Sequence, residues 1–569
     1  MDTKQYFVLD YDFNLLPPSE RNFPYELWEA VGGLFILVID EKDAASVRGY
    51  VAKYPYIPKV YGIADITDDM NEAVDQQYTQ VLAESGILQV QEEPLALSGQ
   101  GVIIAIIDTG IQYEEAAFRY ENGDTRILSI WDQTLEGEQY ASPEGFAYGS
   151  EFDEQKLNQA LKSDNPLAEV PTYDTSGHGS ALAAIAAAGV QEDGSRGAAY
   201  LARFVIVKLR RAPEYLTSYY GVAGDEVCFA DFDILMALRY VTQFQKPFEK
   251  PLVILLGMQT NQGSHTGDAL LPVALGQIGK VRNQVVVVPA GNEGEAAGHY
   301  HGVIDETNRN GEVCELLIGE GEEKIVMELW GKPPALFSVG ISSPAGEQIG
   351  NMLYRPGQSV RYEFLYSQTI VMIDYVATDQ TSGQELFVIG LEKPIPGIWQ
   401  IHVMPYGTYQ EGVFDIWLPI RQFLKGDTRF LRPEPETTIT EPAGGSGVIS
   451  VGAYLSSNGR FYQKSSRGFL SDGEIKPDLV APGDYVSAQF GLRTGTSYAA
   501  ALLAGAGALF LEWSVVRGNE RFVNTAVFKN ILIRGATRNR YPFYPNPLYG
   551  YGEMNLEKSF DLLAGIRLF

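Results

Sequence analysis

Six consecutive apolar residues, from Val102 to Ile107, set the strongest limit on what this chain can fold into. Most of them are β-branched, and such a run is typical of a strand buried on both faces of a parallel sheet. The run ends at Asp108. Ligands and catalytic groups of open α/β sheets gather at the carboxyl ends of the strands. We therefore expect polar chemistry at the end of this strand.

Apolar strands and helices alternate over much of the remaining chain. Core strands are predicted at 204–209, 252–256, 285–288 and 448–453, and helices at 181–189, 231–242 and from Ser497 to about Trp513. This alternation predicts an α/β fold with a doubly wound parallel sheet. The longest apolar run, around Tyr498 to Leu511, is too short to span a membrane, so no membrane partner is expected.

Two regions interrupt this alternation. Near the start, a strand (34–39), a helix (42–53) and a second strand (57–63) indicate a small α+β module. Between about residues 301 and 431, eight short alternating runs without helices predict a β-sandwich or jelly roll inserted into the α/β part. These runs are 313–318, 324–329, 337–341, 360–366, 370–377, 385–391, 399–404 and 413–418.

The segment that follows the N-terminal module is rich in acidic and polar residues and runs from Asp65 to Leu88. Its carboxylates are most simply explained as a solvated face. Exposed polar segments are preferred sites of proteolytic cleavage. We therefore predict an exposed linker or a cleavage site there.

The composition argues against several partners. The chain has 43 basic and 72 acidic residues, a formal net charge of −29, which disfavours binding to nucleic acid. The first residues lack the basic and then apolar pattern of a secretory signal, so synthesis in the cytoplasm is expected. Cys228 and Cys314 are interpreted as buried thiols. His299 and His301 lack an evident third ligand, so neither a metal nor another cofactor is predicted.

Four polar residues stand at strand ends or helix starts, in the order Asp108, His178, Asn292, Ser497. Together they suffice for acyl transfer. Ser497 would attack a carbonyl, while His178 would accept its proton and later give it to the leaving amine. Asp108 would fix the imidazole tautomer, and Asn292 with the Ser497 N–H would hold the oxyanion.

Each of these residues also has a plain structural explanation. Asp108 could cap a turn at the strand end, and His178 could be a hydrogen-bonded structural histidine. Asn292 could adopt a left-handed turn, and Ser497 could be a helix N-cap. The ordered set favours catalysis, because all four explanations would have to hold by coincidence. Asp174, near His178, is interpreted as a turn residue.

The motifs around the four residues resemble those of the subtilisin-like serine proteases, the subtilases. The matching segments are 108–110 (Asp-Thr-Gly), 177–180 (Gly-His-Gly-Ser), 290–292 (Ala-Gly-Asn), 465–468, 475–483 and 495–499 (Gly-Thr-Ser-Tyr-Ala). Together they cover about 101–300 and 436–569. The resemblance implies a serine endopeptidase, a hydrolase of peptide bonds, with Asp108, His178 and Ser497 as its triad and Asn292 in its oxyanion hole.

Within that family the chain is most similar to the clostridial Csp-type germination proteases. The similarity rests on residues 260–267 (Thr-Asn-Gln-Gly-Ser-His-Thr-Gly), on Ala501 in place of a proline and on the long β insert. It implies an autoprocessing zymogen, incorporated into spores, that activates a cortex hydrolase by cutting the propeptide of that prohydrolase. Its partners would be this protein substrate and its own prodomain.

The resemblance divides the chain into four stretches. Residues 1–80 would be an α+β prodomain that acts as an intramolecular chaperone and ends in the cleavage linker. Residues 81–300 and 436–569 would form the catalytic domain, and 301–435 the inserted jelly roll. The alternative is a non-proteolytic Csp-like sensor or scaffold. Such relatives usually lose a triad residue, and here all three remain.

The predicted substrate-binding residues depart from the family. Gly257, Met258 and Gln259 stand where relatives have Ser-Leu-Gly at the edge of the first specificity pocket, and Ala290 and Gly291 complete the predicted pocket. A glutamine in place of that glycine would narrow or polarise the pocket. The cleavage preference of the family is therefore not carried over to this chain.

Overall fold

The computed structural model describes residues 4–10, 12, 14, 23–44, 58–64, 77–137, 139–222, 224–245, 250–352, 358–407, 411–487 and 491–565. Within these residues, a small N-terminal sheet comes first. A large α/β part follows, assembled from two stretches of chain, and a β insert separates the two stretches.

The N-terminal part is an antiparallel sheet in the order β1-β3-β2. Its strands are β1 (Lys4–Leu9), β2 (Tyr25–Glu29) and β3 (Phe35–Asp40), and a fourth strand, β4 (Val60–Ile63), lies apart from them. The predicted strands at 34–39 and 57–63 overlap β3 and β4. The predicted helix at 42–53 lies mostly outside the described residues, and its start, Glu41–Asp43, is a 3₁₀ turn.

The described residues in the first stretch of the α/β part form eight strands. These are β5 (Ile103–Asp108), β6 (Ile127–Asp132), β7 (Ser150–Asp153), β8 (Arg203–Lys208), β9 (Phe229–Ala230), β10 (Leu252–Leu256), β11 (Met258–Gln259) and β12 (Gln284–Pro289).

The insert is built from two antiparallel sheets around a shared apolar core. Its strands are β13 (His299–Ile304), β14 (Glu312–Ile318), β15 (Lys324–Gly331), β16 (Leu336–Ser342), β17 (Gln348–Met352), β18 (Ser359–Glu363), β19 (Ile370–Val376), β20 (Glu385–Glu392), β21 (Gly397–Tyr406), β22 (Gly412–Trp417) and β23 (Arg429–Phe430). One sheet has the order β13-β22-β15-β20-β19-β18 and the other β17-β16-β21-β14-β23. The eight predicted runs all overlap these strands, whereas β13, β17 and β23 have no counterpart among the predictions.

The second stretch completes the α/β part. Its strands are β24 (Ile449–Leu455), β25 (Arg460–Phe461), β26 (Leu479–Pro482), β27 (Asp484–Ser487) and β28 (Gly491–Thr494). The α-helices of the chain are α1 (Gln77–Glu84), α2 (Ile87–Gln91), α3 (Glu154–Ala160), α4 (Pro166–Glu169), α5 (His178–Ala187), α6 (Glu214–Tyr220), α7 (Asp231–Gln245), α8 (Leu270–Gly279), α9 (Thr496–Leu511), α10 (Thr525–Gly535) and α11 (Leu556–Leu563).

The central sheet is parallel in the order β6-β8-β5-β10-β12-β24-β26, with β7 and β25 added antiparallel beside β6 and β24. Strand β5 lies in its middle. Ile104 and Ile106 pack into the apolar core on one face, whereas Ile103, Ala105 and Ile107 pack into the core on the other. The predicted strand buried on both faces, and with it the α/β fold, is confirmed.

Helix α9 continues into one π-helical turn (Glu512–Val516), which gives 21 residues in all. That length and composition suffice to cross a membrane, contrary to the expectation drawn from the apolar run. However, 83% of its most apolar stretch is buried inside the protein. The helix packs against α5 and the middle strands of the sheet and forms the centre of the α/β core.

The predicted linker from Asp65 to Leu88 is only partly described, because residues 65–76 lie outside the described residues. From residue 77 the chain forms α1 and α2, and Val81, Leu82 and Ile87 are buried in the α/β core. The open-linker interpretation is therefore wrong for residues 77–88. Their apolar side chains pack into the core despite the polar composition of the stretch as a whole.

Both cysteines, Cys228 and Cys314, are free and buried. Burial raises the pKa of the Cys228 thiol to about 11, which keeps it protonated and unreactive near neutral pH.

Candidate active site

Four elements bring polar side chains to the carboxyl edge of the central sheet. Asp108 is the last residue of β5, and His178 is the first residue of α5. Asn292 follows β12, and Ser497 lies in the first turn of α9. Gly177 precedes His178 with a φ of 72°, a left-handed conformation that favours glycine. All four polar side chains are buried.

Asp108, His178 and Ser497 form a continuous chain of contacts. His178 Nδ1 lies 2.7 Å from Asp108 Oδ1, and His178 Nε2 lies 3.1 Å from Ser497 Oγ. Because an ionised carboxylate can only accept, the proton of the neutral imidazole belongs on Nδ1, which leaves Nε2 free to accept from the serine. The Thr109 backbone N–H also donates to Asp108 Oδ1 over 2.8 Å, which helps to fix the carboxylate.

Asn292 is oriented by the start of α9. Its Oδ1 accepts hydrogen bonds from the backbone N–H and the hydroxyl of Thr496, at 3.1 and 3.0 Å. Its Nδ2 therefore faces the other way, towards Ser497, and donates to the carbonyl oxygen of Ala64 over 2.8 Å. The same carbonyl oxygen lies 2.7 Å from Ser497 Oγ. One peptide carbonyl thus contacts both the amide and the hydroxyl.

The segment that ends in Ala64 lies in the cleft as a strand. β4 pairs antiparallel with β11 on one side and with β9 on the other. The Ala64 N–H donates to the carbonyl oxygen of Gly257 over 3.2 Å. A Cβ on Gly495 would lie 2.9 Å from the Ala64 carbonyl oxygen, so the glycine before α9 keeps room for that group. The sequence contains no local signal for this placement, because it depends on pairing between distant strands.

Asp174, predicted only as a turn residue, also accepts hydrogen bonds that join two parts of the site. Its Oδ1 accepts from the Thr109 hydroxyl at 2.9 Å and from the Gly177 N–H at 2.9 Å. Its Oδ2 accepts from the N–H and the hydroxyl of Ser180, at 2.9 and 2.7 Å. This buried carboxylate ties the loop after Asp108 to the start of the His178 helix. The sequence placed it near the site but gave no sign of this role.

The sequence pattern of the subtilase family matches residues 99–234 and 426–552. The chain is similar to the CspB protease of Clostridium perfringens, with 32% identity and a TM-score of 0.74 over 86% of this chain and 100% of that one. The chain belongs to the subtilase family. It is also 32% identical to pyrolysin of Pyrococcus furiosus over 114 residues, which are 18% of this chain and 8% of the length of pyrolysin.

The subtilases are a family of serine endopeptidases, so the residues at the cleft edge can be compared with the predicted substrate-binding residues. Gly257, the first of the predicted substrate-binding residues at this edge, lies between β10 and β11. A Cβ there would lie 2.4 Å from Asp108 Oδ2 and 3.1 Å from His178 Cε1, so this chain has no room for a larger residue beside its carboxylate. Met258 pairs with Ile63 in the cleft.

Gln259 contacts both Asn292 and the strand in the cleft, and its part in a substrate pocket stays a prediction. Its Oε1 accepts from the Asn292 backbone N–H over 2.9 Å, and its Nε2 lies 3.3 Å from the carbonyl oxygen of Ile63. The side chain links the residue in the oxyanion position to the strand in the cleft. Ala290 and Gly291 bond through their backbones to Thr440 and Thr496, and their part in a substrate pocket stays a prediction.

The residue after Asn292 is a buried glutamate. Glu293 accepts from the Arg421 backbone N–H at 3.1 Å and lies 3.4 Å from Asn261 Nδ2. Burial raises the pKa of Glu293 to about 7. A group that titrates near neutrality therefore lies next to Asn292, the predicted oxyanion residue.

The pair His299 and His301 binds a carboxylate. Both rings contact Asp415 Oδ1, at 3.1 and 2.7 Å. Burial raises the pKa of Asp415, but the hydrogen bonds from the two histidines outweigh burial and hold that pKa below its usual value. In the described part of the chain, no group of three or more His, Cys, Asp or Glu side chains is arranged to hold a metal ion.

Proposed function

We propose that this chain is an active serine endopeptidase, made as a zymogen, that cuts itself after Ala64. The observation that carries the proposal is the position of the Ala64 carbonyl oxygen, 2.8 Å from Asn292 Nδ2 and 2.7 Å from Ser497 Oγ. Acyl transfer needs a nucleophile and an oxyanion donor at the same carbonyl group, and both meet at this one. For the attack, Ser497 Oγ must pass from its hydrogen bond with the oxygen to the adjacent carbonyl carbon.

The reaction follows from these contacts. Ser497 Oγ attacks the carbonyl carbon of Ala64 while its proton passes to His178 Nε2. Asp108 stabilises the imidazolium, and Asn292 Nδ2 with the Ser497 N–H holds the negative oxygen. Collapse of the intermediate breaks the bond between Ala64 and Asp65, and His178 gives its proton to the leaving amine. Water then hydrolyses the acyl-enzyme by the same steps in reverse.

The N-terminal sheet supports the role of a prosegment. Tyr6, Val8, Ile36 and Val38 on one face of it pack into the apolar core beneath the central sheet, and the ring of Tyr6 stacks on Phe232 of α7 with centroids 4.5 Å apart. β4 itself is held in the cleft by its pairing with β9 and β11. The proposed bond lies at the start of the predicted segment from Asp65 to Leu88.

Mass spectrometry of the purified wild type and of Ser497→Ala tests the proposal. We expect the wild type to yield a fragment that begins at Asp65, and Ser497→Ala to stay full length. If the wild type stays intact, or if both chains are cut, self-cleavage by Ser497 is wrong. A fluorophosphonate probe then separates a protease from the non-proteolytic scaffold, because only an activated Ser497 becomes labelled.

The similarity to CspB over its full length supports a further proposal about the substrate. As the resemblance to the Csp-type germination proteases implies, the chain would be incorporated into spores and would cut the propeptide of a cortex hydrolase. Incubation of the processed protein with such a prohydrolase should release its propeptide, and Ser497→Ala should not. An uncut prohydrolase would overturn this assignment but leave the protease itself intact.

A further inference from the structure

Lys59 lies five residues before Ala64 and is almost fully buried, with 9% of its surface exposed. Its Nζ donates to the carbonyl oxygen of Gln262 over 3.0 Å, and its backbone N–H donates to Asp231 Oδ2 over 2.9 Å. Lysine is rarely buried to this degree unless negative charge compensates its own. We therefore expect negatively charged groups near its ammonium group.

Two buried glutamates, Glu441 and Glu328, lie near this side chain, although neither of them forms a direct ion pair with Lys59 Nζ. Glu441 is 1% exposed, and within the described residues neither of its carboxylate oxygens reaches hydrogen-bond geometry with a partner, although the nearby Gly267 N–H favours its charged form. Glu328, on β15 of the insert, accepts from the Gly263 N–H at 2.7 Å and from Trp330 Nε1 at 3.0 Å. The two glutamates thus lie where the α/β part meets the insert.

Gly263 keeps the space between the ammonium group and one of these acids open. A Cβ on Gly263 would lie 2.8 Å from Lys59 Nζ and 3.8 Å from Glu441 Oε1. Burial raises the pKa of Glu441 to about 7, and the charge of Lys59 acts in the opposite direction on both Glu441 and Glu328. The charge of Lys59 therefore favours the ionised form of both buried acids.

We propose that Glu441 and Glu328 form a subsite for a lysine or arginine side chain six residues before the cleaved bond of a substrate, counting the residue at that bond as the first. This inference rests on the proposed cleavage after Ala64. We call this subsite the Glu441–Glu328 pocket.

The pairing of the strand in the cleft fixes which residue reaches the pocket. Val60 and Tyr61 pair with β9, and Gly62 and Ile63 pair with β11. A substrate that takes the same register places its sixth residue before the cut at the position of Lys59. A buried carboxylate that loses its cation is costly, so the pocket favours a basic residue there over a neutral one. The substrate class is a peptide segment with a basic residue at this distance from its cleaved bond.

The first experiment measures binding without catalysis. In full-length Ser497→Ala, amide hydrogen exchange of residues 59–64 is compared with that of the same chain carrying Lys59→Met, Lys59→Arg or Lys42→Met. Lys42 is the matched control because it is an exposed lysine of the same N-terminal part. We expect Lys59→Met to speed exchange about tenfold or more, with Lys59→Arg and Lys42→Met near the parent. Equal exchange in Lys59→Met and the parent overturns the inference.

The second experiment measures specificity in the processed wild type. Two p-nitroanilide peptides are compared, Lys-Val-Tyr-Gly-Ile-Ala and its analogue with norleucine in place of lysine. We expect kcat/KM to be about tenfold higher for the lysine peptide, mainly through KM, and the two values to become nearly equal in Glu441→Gln. A purely structural role of Glu441 would not make the enzyme distinguish lysine from norleucine, so equal values in the wild type overturn the subsite.

The outcomes separate the two proposals. Loss of protection in Lys59→Met without any self-cleavage of the wild type would refute the protease but keep the pocket as a binding site for the prosegment. Self-cleavage by the wild type with no effect of Lys59→Met on exchange and no preference between the peptides would keep the protease and refute the pocket.

Discussion

Replacing Asn292 by alanine tests two roles of its side chain, one as an oxyanion donor in catalysis and one as a hydrogen-bond acceptor in the folded structure. The change removes Nδ2, which lies 2.8 Å from the Ala64 carbonyl oxygen. Loss of one oxyanion donor costs roughly 100- to 1000-fold in turnover, or about 2.7–4 kcal/mol in the barrier. The change also leaves the buried N–H and hydroxyl of Thr496 without the Oδ1 to which they donate. An unsatisfied buried donor costs about 1–3 kcal/mol of folding free energy.

The control is Asn292→Asp, which keeps an oxygen for Thr496 but removes the donor. We expect both variants to cut the bond after Ala64 at least 100-fold more slowly than the wild type in a refolding time course followed by mass spectrometry. In the Ser497→Ala background, Asn292→Ala should lower the unfolding temperature because Thr496 loses its acceptor, and Asn292→Asp should lower it because its second carboxylate oxygen would face the Ala64 carbonyl oxygen. If Asn292→Asp matches the wild-type cleavage rate, or if Asn292→Ala slows it less than about tenfold, the assigned role of Nδ2 is wrong.

Three further expectations follow from the same site. Gly257→Ser should slow self-cleavage at least tenfold, because its Cβ would lie 2.4 Å from Asp108 Oδ2; a wild-type rate would contradict the crowding argument. In the Ser497→Ala background, Asp174→Asn should lower the free energy of unfolding by about 2 kcal/mol, as measured by urea denaturation, since a charged acceptor of several buried hydrogen bonds is lost. The folded-state pKa of Glu293, about 7, lies above its ordinary value of 4.5, so the stability that this group adds is complete below pH 4.5 and is lost as the pH rises through 7. The wild type should therefore lose stability relative to Glu293→Gln between pH 5 and pH 8, and parallel stability curves would show that Glu293 does not titrate in this range.

The residues proposed to carry the chemistry could be recognised in the sequence because each lies within a short local motif. Asp108 follows an apolar strand, and Ser497 starts an apolar helix, so both could be placed at the same sheet edge before any contact was known. The occupant of the cleft was not predictable in this way. The position of Ala64 depends on β4 pairing with β9 and β11, more than 160 residues away along the chain, as in the contact of Val60 with Ala230.

The errors of the sequence analysis also have physical causes. Strands β17 and β23 are short and carry few apolar residues, so they lack the alternation that identifies a strand. Because the stretch after Asp65 is mostly acidic and polar, its sequence did not indicate the two short helices α1 and α2. Their few apolar residues are nevertheless buried. Asp174 was recognisable only as a turn residue, because Thr109, whose hydroxyl it also binds, lies 65 residues earlier along the chain.

The order of the active-site residues along the chain has a consequence for synthesis on the ribosome. Asp108, His178 and Asn292 precede the β insert, whereas Ser497 and helix α9 follow it. A nascent chain that has already made its insert still lacks both the attacking oxygen and the helix that fills the middle of the core. If the chain cuts itself as proposed, the growing polypeptide would be unable to attack its own N-terminal segment until Ser497 has been added.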